Sequence, residues 1–196
     1  MDEIKRLYQL KSVVKLASNE NAFGPSPKVL TAMNAQLDEQ ILRYPDGNGY
    51  ALKKRLSSFH HVEMTQITLG NGSNDVLEMI ARVFLGAGRS ALFSQHAFAV
   101  YPLATIAAGA EMQVIPAKDF GCDLTAFTNN IDEMTKVIFI ANPNNPTGTF
   151  LEASALKRFI KQVPSHVVAS YVYTTFHYIT GTEPSCYDIR KNSLCR

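Results

Sequence analysis

The stretch that most constrains the chain is KVIFIANPNNPTG, residues Lys136–Gly148. Val137 to Ala141 form a short apolar run rich in β-branched and aromatic residues, which reads as a buried strand. The run stops at Asn142-Pro143-Asn144-Asn145-Pro146-Thr147-Gly148. Each proline fixes its own φ, removes a backbone donor and drives the residue before it toward extended backbone. Gly148 permits positive φ. The strand therefore delivers two stiffly held amides, Asn142 and Asn145, to one of its ends. Leu151, Ala155, Leu156, Phe159, Ile160 and Val163 then recur at helical spacing. Strand, stiff polar loop and helix make an α/β crossover with a ligand site at the carboxyl end of the strand. A lone Asn-Pro pair would be only a turn. Two in tandem, closed by Thr-Gly, favour a site.

The preceding chain alternates in the same manner. Residues 1–12 read as an N-terminal helix or arm. Residues 16–25, LASNENAFGP, form a polar loop closed by Gly-Pro, after which Ser26 caps a helix with Pro27 at its first position, running to about Gln40. Residues 43–49, RYPDGNG, are a dense turn signal. Leu52, Leu56 and Phe59 mark the next helix, and Ile67-Thr68-Leu69 a short strand. Gly70-Asn71-Gly72-Ser73-Asn74-Asp75 follows and opens a helix with apolar positions Val76, Leu77, Ile80, Val83 and Phe84. Glycines at a helix mouth let backbone N–H groups approach an anion, which the helix dipole also favours. On these residues alone, an anion site and a well-capped helix without a ligand stay equally open. A dinucleotide fingerprint is disfavoured, because Asp75 stands where its third glycine should be.

Strands are expected at Ser90–Ser94, Glu111–Pro116 and Ala169–Ile179; Gln95–Pro102 leads into a helix ending near Gly109, and Cys122–Asn130 is a helix or loop. The alternation predicts an α/β fold, a mostly parallel sheet with helices on both faces. His96 is either a ligand contact or a packed loop histidine. The adjacent His60 and His61 lack a cysteine or carboxylate at ligand spacing, so no metal site is expected. A formal net charge of +2, from 19 basic and 17 acidic residues, argues for neither nucleic acid nor an anionic membrane as partner. No apolar run reaches the length of a membrane span. Three scattered cysteines give no disulfide framework, and the charged N-terminus lacks a signal core, so a cytoplasmic location is expected.

In order and spacing, LASNENAFGPSPKVL, RYPDGNGYALKKRL, LGNGSNDVLEMIARVFL, SQHAFAVYPLA and VIFIANPNNPTGTF resemble the pyridoxal-phosphate aminotransferases of fold type I. Within that fold type they are most similar to the histidinol-phosphate aminotransferase family. The resemblance covers roughly residues 13–168 and implies a three-layer α/β/α large domain. It implies that Gly72, Ser73 and Asn74 cradle the cofactor phosphate. It places Phe98 where a ring stacks on the pyridine, and Asn145 where an amide meets the phenolic oxygen. Tyr44 matches a residue that reaches the partner's cofactor across a homodimer, and Asn21 and Gly24 match a loop lining the substrate pocket. The implied reaction exchanges an amino group between histidinol phosphate and 2-oxoglutarate, a step of histidine biosynthesis, with small-molecule donor and acceptor and pyridoxal 5'-phosphate as cofactor.

The resemblance fades from Ala169. Ser170 stands where the family has the aspartate that pairs with the pyridine nitrogen. No lysine lies in the context of the family's Schiff-base lysine, so no catalytic residue is assigned, and covalent attachment of the cofactor is not expected. The pattern reads as a truncated large domain from a frameshifted or degraded coding sequence. The domain division expected is 1–40 as an arm and helix contributing to the small domain and dimer contact, 41–179 as a partial cofactor-binding domain, and 180–196 as a divergent tail. The alternatives are a non-catalytic phosphate- or cofactor-binding remnant and an aminotransferase of another amino acid.

Overall fold

The computed structural model describes residues 2–15, 19–21, 23–37 and 39–172. The chain divides into two compact units, Met1–Asn48 and Gly49–Arg196. The first holds two short helices, α1 (Asp2–Tyr8) and α2 (Pro27–Asn34), and a 3-10 helix at Glu39–Leu42. Ser26 caps α2 as expected, its side chain accepting the Val29 N–H with Pro27 at the first helical position. The helix ends at Asn34 rather than near Gln40, and Thr31, Met33 and Asn34 carbonyls close the turn that follows. Neither helix buries a residue. An apolar stripe with nothing beneath it cannot extend a helix by packing, and short helices depend on packing for most of their stability.

The second unit is built on helices α3 (Tyr50–His60), α4 (Ser73–Phe84), α5 (Val100–Ala107), α6 (Leu124–Asn130) and α7 (Ala153–Gln162). Four strands accompany them: β1 (Ser90–Ser94), β2 (Glu111–Ile115), β3 (Thr135–Ala141) and β4 (Val168–Val172). All pair in parallel, in the order β2-β1-β3-β4. The expected strand at Ile67-Thr68-Leu69 is absent. A 3-10 helix at Met64–Gln66 precedes these residues, and no described strand pairs with them. Extended, apolar composition makes a strand only where a neighbour supplies the ladder. Of the strand expected at Ala169–Ile179, β4 supplies the first part, and the remainder lies outside the described residues.

Side chains alternate across each strand, so the sheet sorts its residues into two cores. Ala91, Phe93, Val137 and Phe139 meet Leu77 and Ala81 of α4 and Tyr101 and Ala104 of α5 on one face. Leu92, Ile115, Ile138 and Ile140 meet Phe127 of α6 and Leu156 and Phe159 of α7 on the other. The expected helix layers on both faces are therefore present. The chain steps from β1 outward to β2, then returns past β1 to β3 and on to β4. Right-handed crossovers in opposite directions put their helices on opposite faces. That reversal leaves a crevice between the carboxyl ends of β1 and β3, the place where open parallel sheets bind ligands.

Candidate functional site

Three loops meet at the carboxyl ends of the strands, and the Asn-Pro segment after β3 is central to them. Both of its Asn-Pro peptide bonds are cis, and Gly148 has φ of +73°. The two amides expected to face a ligand have different surroundings. Asn142 is buried at 3% exposure. Its Nδ2 donates to Leu151 O at 2.9 Å, and its Oδ1 accepts the Leu151 N–H at 2.8 Å. Asn142 is thus a clip between β3 and the start of the crossover, and its amide is not available to a ligand. Asn145 is half-buried, and no hydrogen bond from its side chain to another described residue is present. Of the two, only Asn145 offers a free amide.

Asn144, which sequence reasoning passed over, ties this loop to the one after β1. Its Nδ2 donates to His96 O and to Thr147 Oγ1, both at 2.8 Å. Thr147 and Thr149 share a hydroxyl–hydroxyl contact of 3.0 Å, and Thr149 Oγ1 donates to Phe120 O at 3.3 Å. Phe120 sits in the third loop, after β2, with φ of +60° beside Asp119 at +49°. Its ring stacks on His96 with centroids 5.5 Å apart. His96 is therefore a packed loop histidine. No sequence signal marks the Phe120 turn, since a bulky residue in the left-handed region is uncommon.

Phe98 follows β1 by four residues and is half-buried against the α4–α5 core. It meets Tyr101 edge-on at 5.9 Å, and Tyr101 stacks flat on Phe139 at 4.8 Å. Ser170 pairs with Phe139 in the β3–β4 register, so it faces the same side of the sheet. It is buried at 8% exposure and brings no charge there. The Asn144 bond to the His96 carbonyl joins the loop that carries Asn145 to the loop that carries Phe98. Tyr101 is 1% exposed and its hydroxyl has no hydrogen-bond partner among the described residues. Burial, with the nearby Cys122 next in size, pushes that phenol upward. Burial also pushes the Cys122 thiol up to about 12, against a lowering bond from Ser94 and with a raising charge on Asp123.

Gly72 caps α4 with φ of +84°, a conformation closed to most side chains. No side chain caps the helix there, and Gly72, Ser73 and Asn74 are exposed. Asp75 turns its carboxylate back to the Asn71 N–H and Nδ2, at 2.9 and 3.0 Å. It stiffens the turn but adds negative charge to the first turn. In the other unit, the Asn21 amide is folded into its own loop. Its Nδ2 donates to Gly24 O and its Oδ1 accepts the Phe23 N–H, with Gly24 at φ of +67°. The Tyr44 ring is fully exposed. No helix among the described residues is long and apolar enough to cross a membrane.

The family model for aminotransferases of class I and II matches residues 11–187. Histidinol-phosphate aminotransferase 2 of Pseudomonas fluorescens strain Pf0-1 is 53% identical over 185 residues, covering 93% of this chain and 50% of the relative. Histidinol-phosphate aminotransferase of Stutzerimonas stutzeri is 48% identical over 198 residues, covering 99% and 54%. The chain spans about half the length of the curated relatives it matches. Among solved structures, histidinol-phosphate aminotransferase from Sinorhizobium meliloti, in complex with pyridoxal-5'-phosphate, superposes with a TM-score of 0.81. That match has 23% identity and covers 87% of this chain and 46% of the other, so it speaks for the fold.

Proposed function

The chain belongs to the class I and II aminotransferase family, and from that membership we propose that it is the cofactor-binding part of a histidinol-phosphate aminotransferase. The proposed reaction passes an amino group from histidinol phosphate to 2-oxoglutarate, with pyridoxal 5'-phosphate as cofactor. The relatives of about 50% identity carry that name and support the substrate assignment. The observation that supports the cofactor assignment is the Asn145 amide, without a hydrogen-bond partner among the described residues, in a loop that Asn144 ties to the loop carrying Phe98.

The residues present fit a ring face, the phenolic oxygen and the phosphate of the cofactor, whereas Ser170 does not fit its ring nitrogen. When bound, the cofactor supplies an electron sink for cleaving the bond to the amino-bearing carbon. Asn145 would hold the phenolic oxygen through its free Nδ2. Phe98 would cover one face of the ring and exclude water there. The exposed N–H groups of Ser73 and Asn74, with the Ser73 hydroxyl, would accept the phosphate at the positive end of α4. Tyr44, Asn21 and Gly24 are proposed contacts from the N-terminal unit, Tyr44 across a homodimer and the other two at the substrate. The division into an arm at 1–40, a partial large domain at 41–179 and a tail at 180–196 is part of the same proposal, as is a cytoplasmic location.

Ser170 favours a second reading for a polypeptide of these 196 residues, binding without turnover. A buried serine cannot hold a proton on the ring nitrogen as a carboxylate would. Calorimetric titration with pyridoxal 5'-phosphate tests the cofactor site. Asn145→Ala is expected to weaken binding by roughly ten- to a hundredfold, since a hydrogen bond to a charged oxygen contributes about 1.5–3 kcal/mol. Unchanged affinity in Asn145→Ala would remove Asn145 from the site.

A further inference from the structure

Resting on the cofactor reading above, we infer that Asn144 is a positioning residue that holds Asn145 and Phe98 in register across the crevice. The loops carrying Asn145 and Phe98 leave the adjacent strands β3 and β1, whose mutual pairing reaches only Ile138 and Leu92, so the ladder stops short of both loops and does not by itself fix their distance. Asn144 supplies the link. Its side chain reaches His96 O, two residues before Phe98, while its backbone N–H donates to Thr149 O and its carbonyl accepts the Gly148 N–H, each at 2.8 Å. All four hydrogen-bonding directions used by Asn144 thus point into loop backbone or Thr147, and none toward the crevice.

The contacts close into a ring. Asn144 bonds Thr147, Thr147 meets Thr149, Thr149 bonds the Phe120 carbonyl, the Phe120 ring stacks on His96, and the His96 carbonyl returns to Asn144. Phe120 adopts left-handed backbone in making its part of this ring. A non-glycine residue there is disfavoured, and the surrounding contacts must offset that. Such over-determined loops concentrate where geometry matters for a ligand. Asn145 is the neighbour of Asn144 in sequence, so its amide is aimed by a residue that is itself held on both sides.

The test is calorimetric titration of the full chain with pyridoxal 5'-phosphate, combined with thermal melting. Asn144→Leu keeps the shape and removes both donors without adding charge. Asn144→His keeps an N–H donor, Nδ1, the same number of bonds from Cα. Each is made alone and with Asn145→Ala. Asn144→Leu is expected to weaken binding about tenfold and Asn144→His less than about threefold, with melting midpoints within a few degrees of the parent. In the Asn145→Ala background the Asn144→Leu loss should shrink below about threefold, because coupled residues are not additive. Equal binding by Asn144→Leu, an equal loss in both backgrounds, or failure of Asn144→Leu to fold would each overturn the positioning role. No binding by the parent chain would instead sink the cofactor reading, and the inference with it.

Discussion

At the scale of single residues, chemically identical side chains do different work because of what lies within reach. Asn142 and Asn145 each precede a proline in the same seven-residue run. Asn142 is drawn to the Leu151 backbone nine residues on, and the Asn145 side chain finds no hydrogen-bond partner among the described residues. Replacing Asn142 by leucine should cost about 1–3 kcal/mol, because it strands the Leu151 N–H and carbonyl. Urea unfolding measures this, and a loss within experimental error would mean that the Leu151 groups find other partners. Tyr101 predicts the opposite sign. Its hydroxyl is buried without a partner, so Tyr101→Phe should stabilise by up to about 1 kcal/mol while keeping the Phe139 stack. A destabilised Tyr101→Phe would show that the hydroxyl has a partner after all. The sequence could not separate the two asparagines. Strand composition and the Pro-Gly punctuation reveal the loop, whereas the partner of each amide depends on where the chain turns next.

Elements were more legible than residues. Strands β1, β2 and β3 follow from short runs bounded by turn residues, and α4 and α7 from apolar positions three and four apart. Ile67-Thr68-Leu69 carries the same strand signal without a partner strand among the described residues, and α2 is shorter than its spacing implies because no residue of it is buried. The mouth of α4 left two readings open, and Ser73→Asp separates them. A carboxylate in the first turn should raise helix stability by about 0.3–1 kcal/mol. At a phosphate site the same charge should weaken pyridoxal-phosphate binding. A higher melting midpoint with unchanged binding would leave a capped helix and no phosphate cradle. Between α6 and β3, Asp132 accepts from the Thr135 hydroxyl at 2.8 Å and from Gln113 Nε2 of β2 at 2.9 Å. Those donors, Thr135 first, hold its carboxyl below its ordinary value of 3.8. A depressed folded pKa means stability present above that ordinary value and lost as pH falls. Asp132→Asn should therefore flatten the acid limb of the stability profile. An unaltered limb would show that Asp132 is not among the groups that set it.

At the scale of the whole molecule, the fold and the chemistry separate. A four-stranded parallel sheet with two helix layers and a crevice at its topological switch point is what the alternation of apolar runs dictates. The contacts proposed for the ring and its phosphate, Asn145, Phe98 and the mouth of α4, all lie within one unit. Turnover needs more. Proton movement at the amino-bearing carbon calls for a positioned base, and a general acid–base contributes roughly 10²–10⁴-fold. Among the described residues the Asn-Pro loop and the β1 loop carry no lysine, and Lys118 of the β2 loop is exposed. Ser170 adds no charge at the place from which a ring nitrogen would be held. A polypeptide of these 196 residues is therefore expected to bind pyridoxal phosphate without transaminating. The measurement is a coupled assay with glutamate, imidazole-acetol phosphate and saturating cofactor, set against the free-cofactor rate. Turnover above that background would mean that a lysine of this chain, or of a second copy, reaches the crevice. Restoring Ser170→Asp separates the two deficits. If charge at the ring nitrogen alone were missing, that variant would regain activity. If the base is missing as well, it should bind the cofactor more tightly and remain at background.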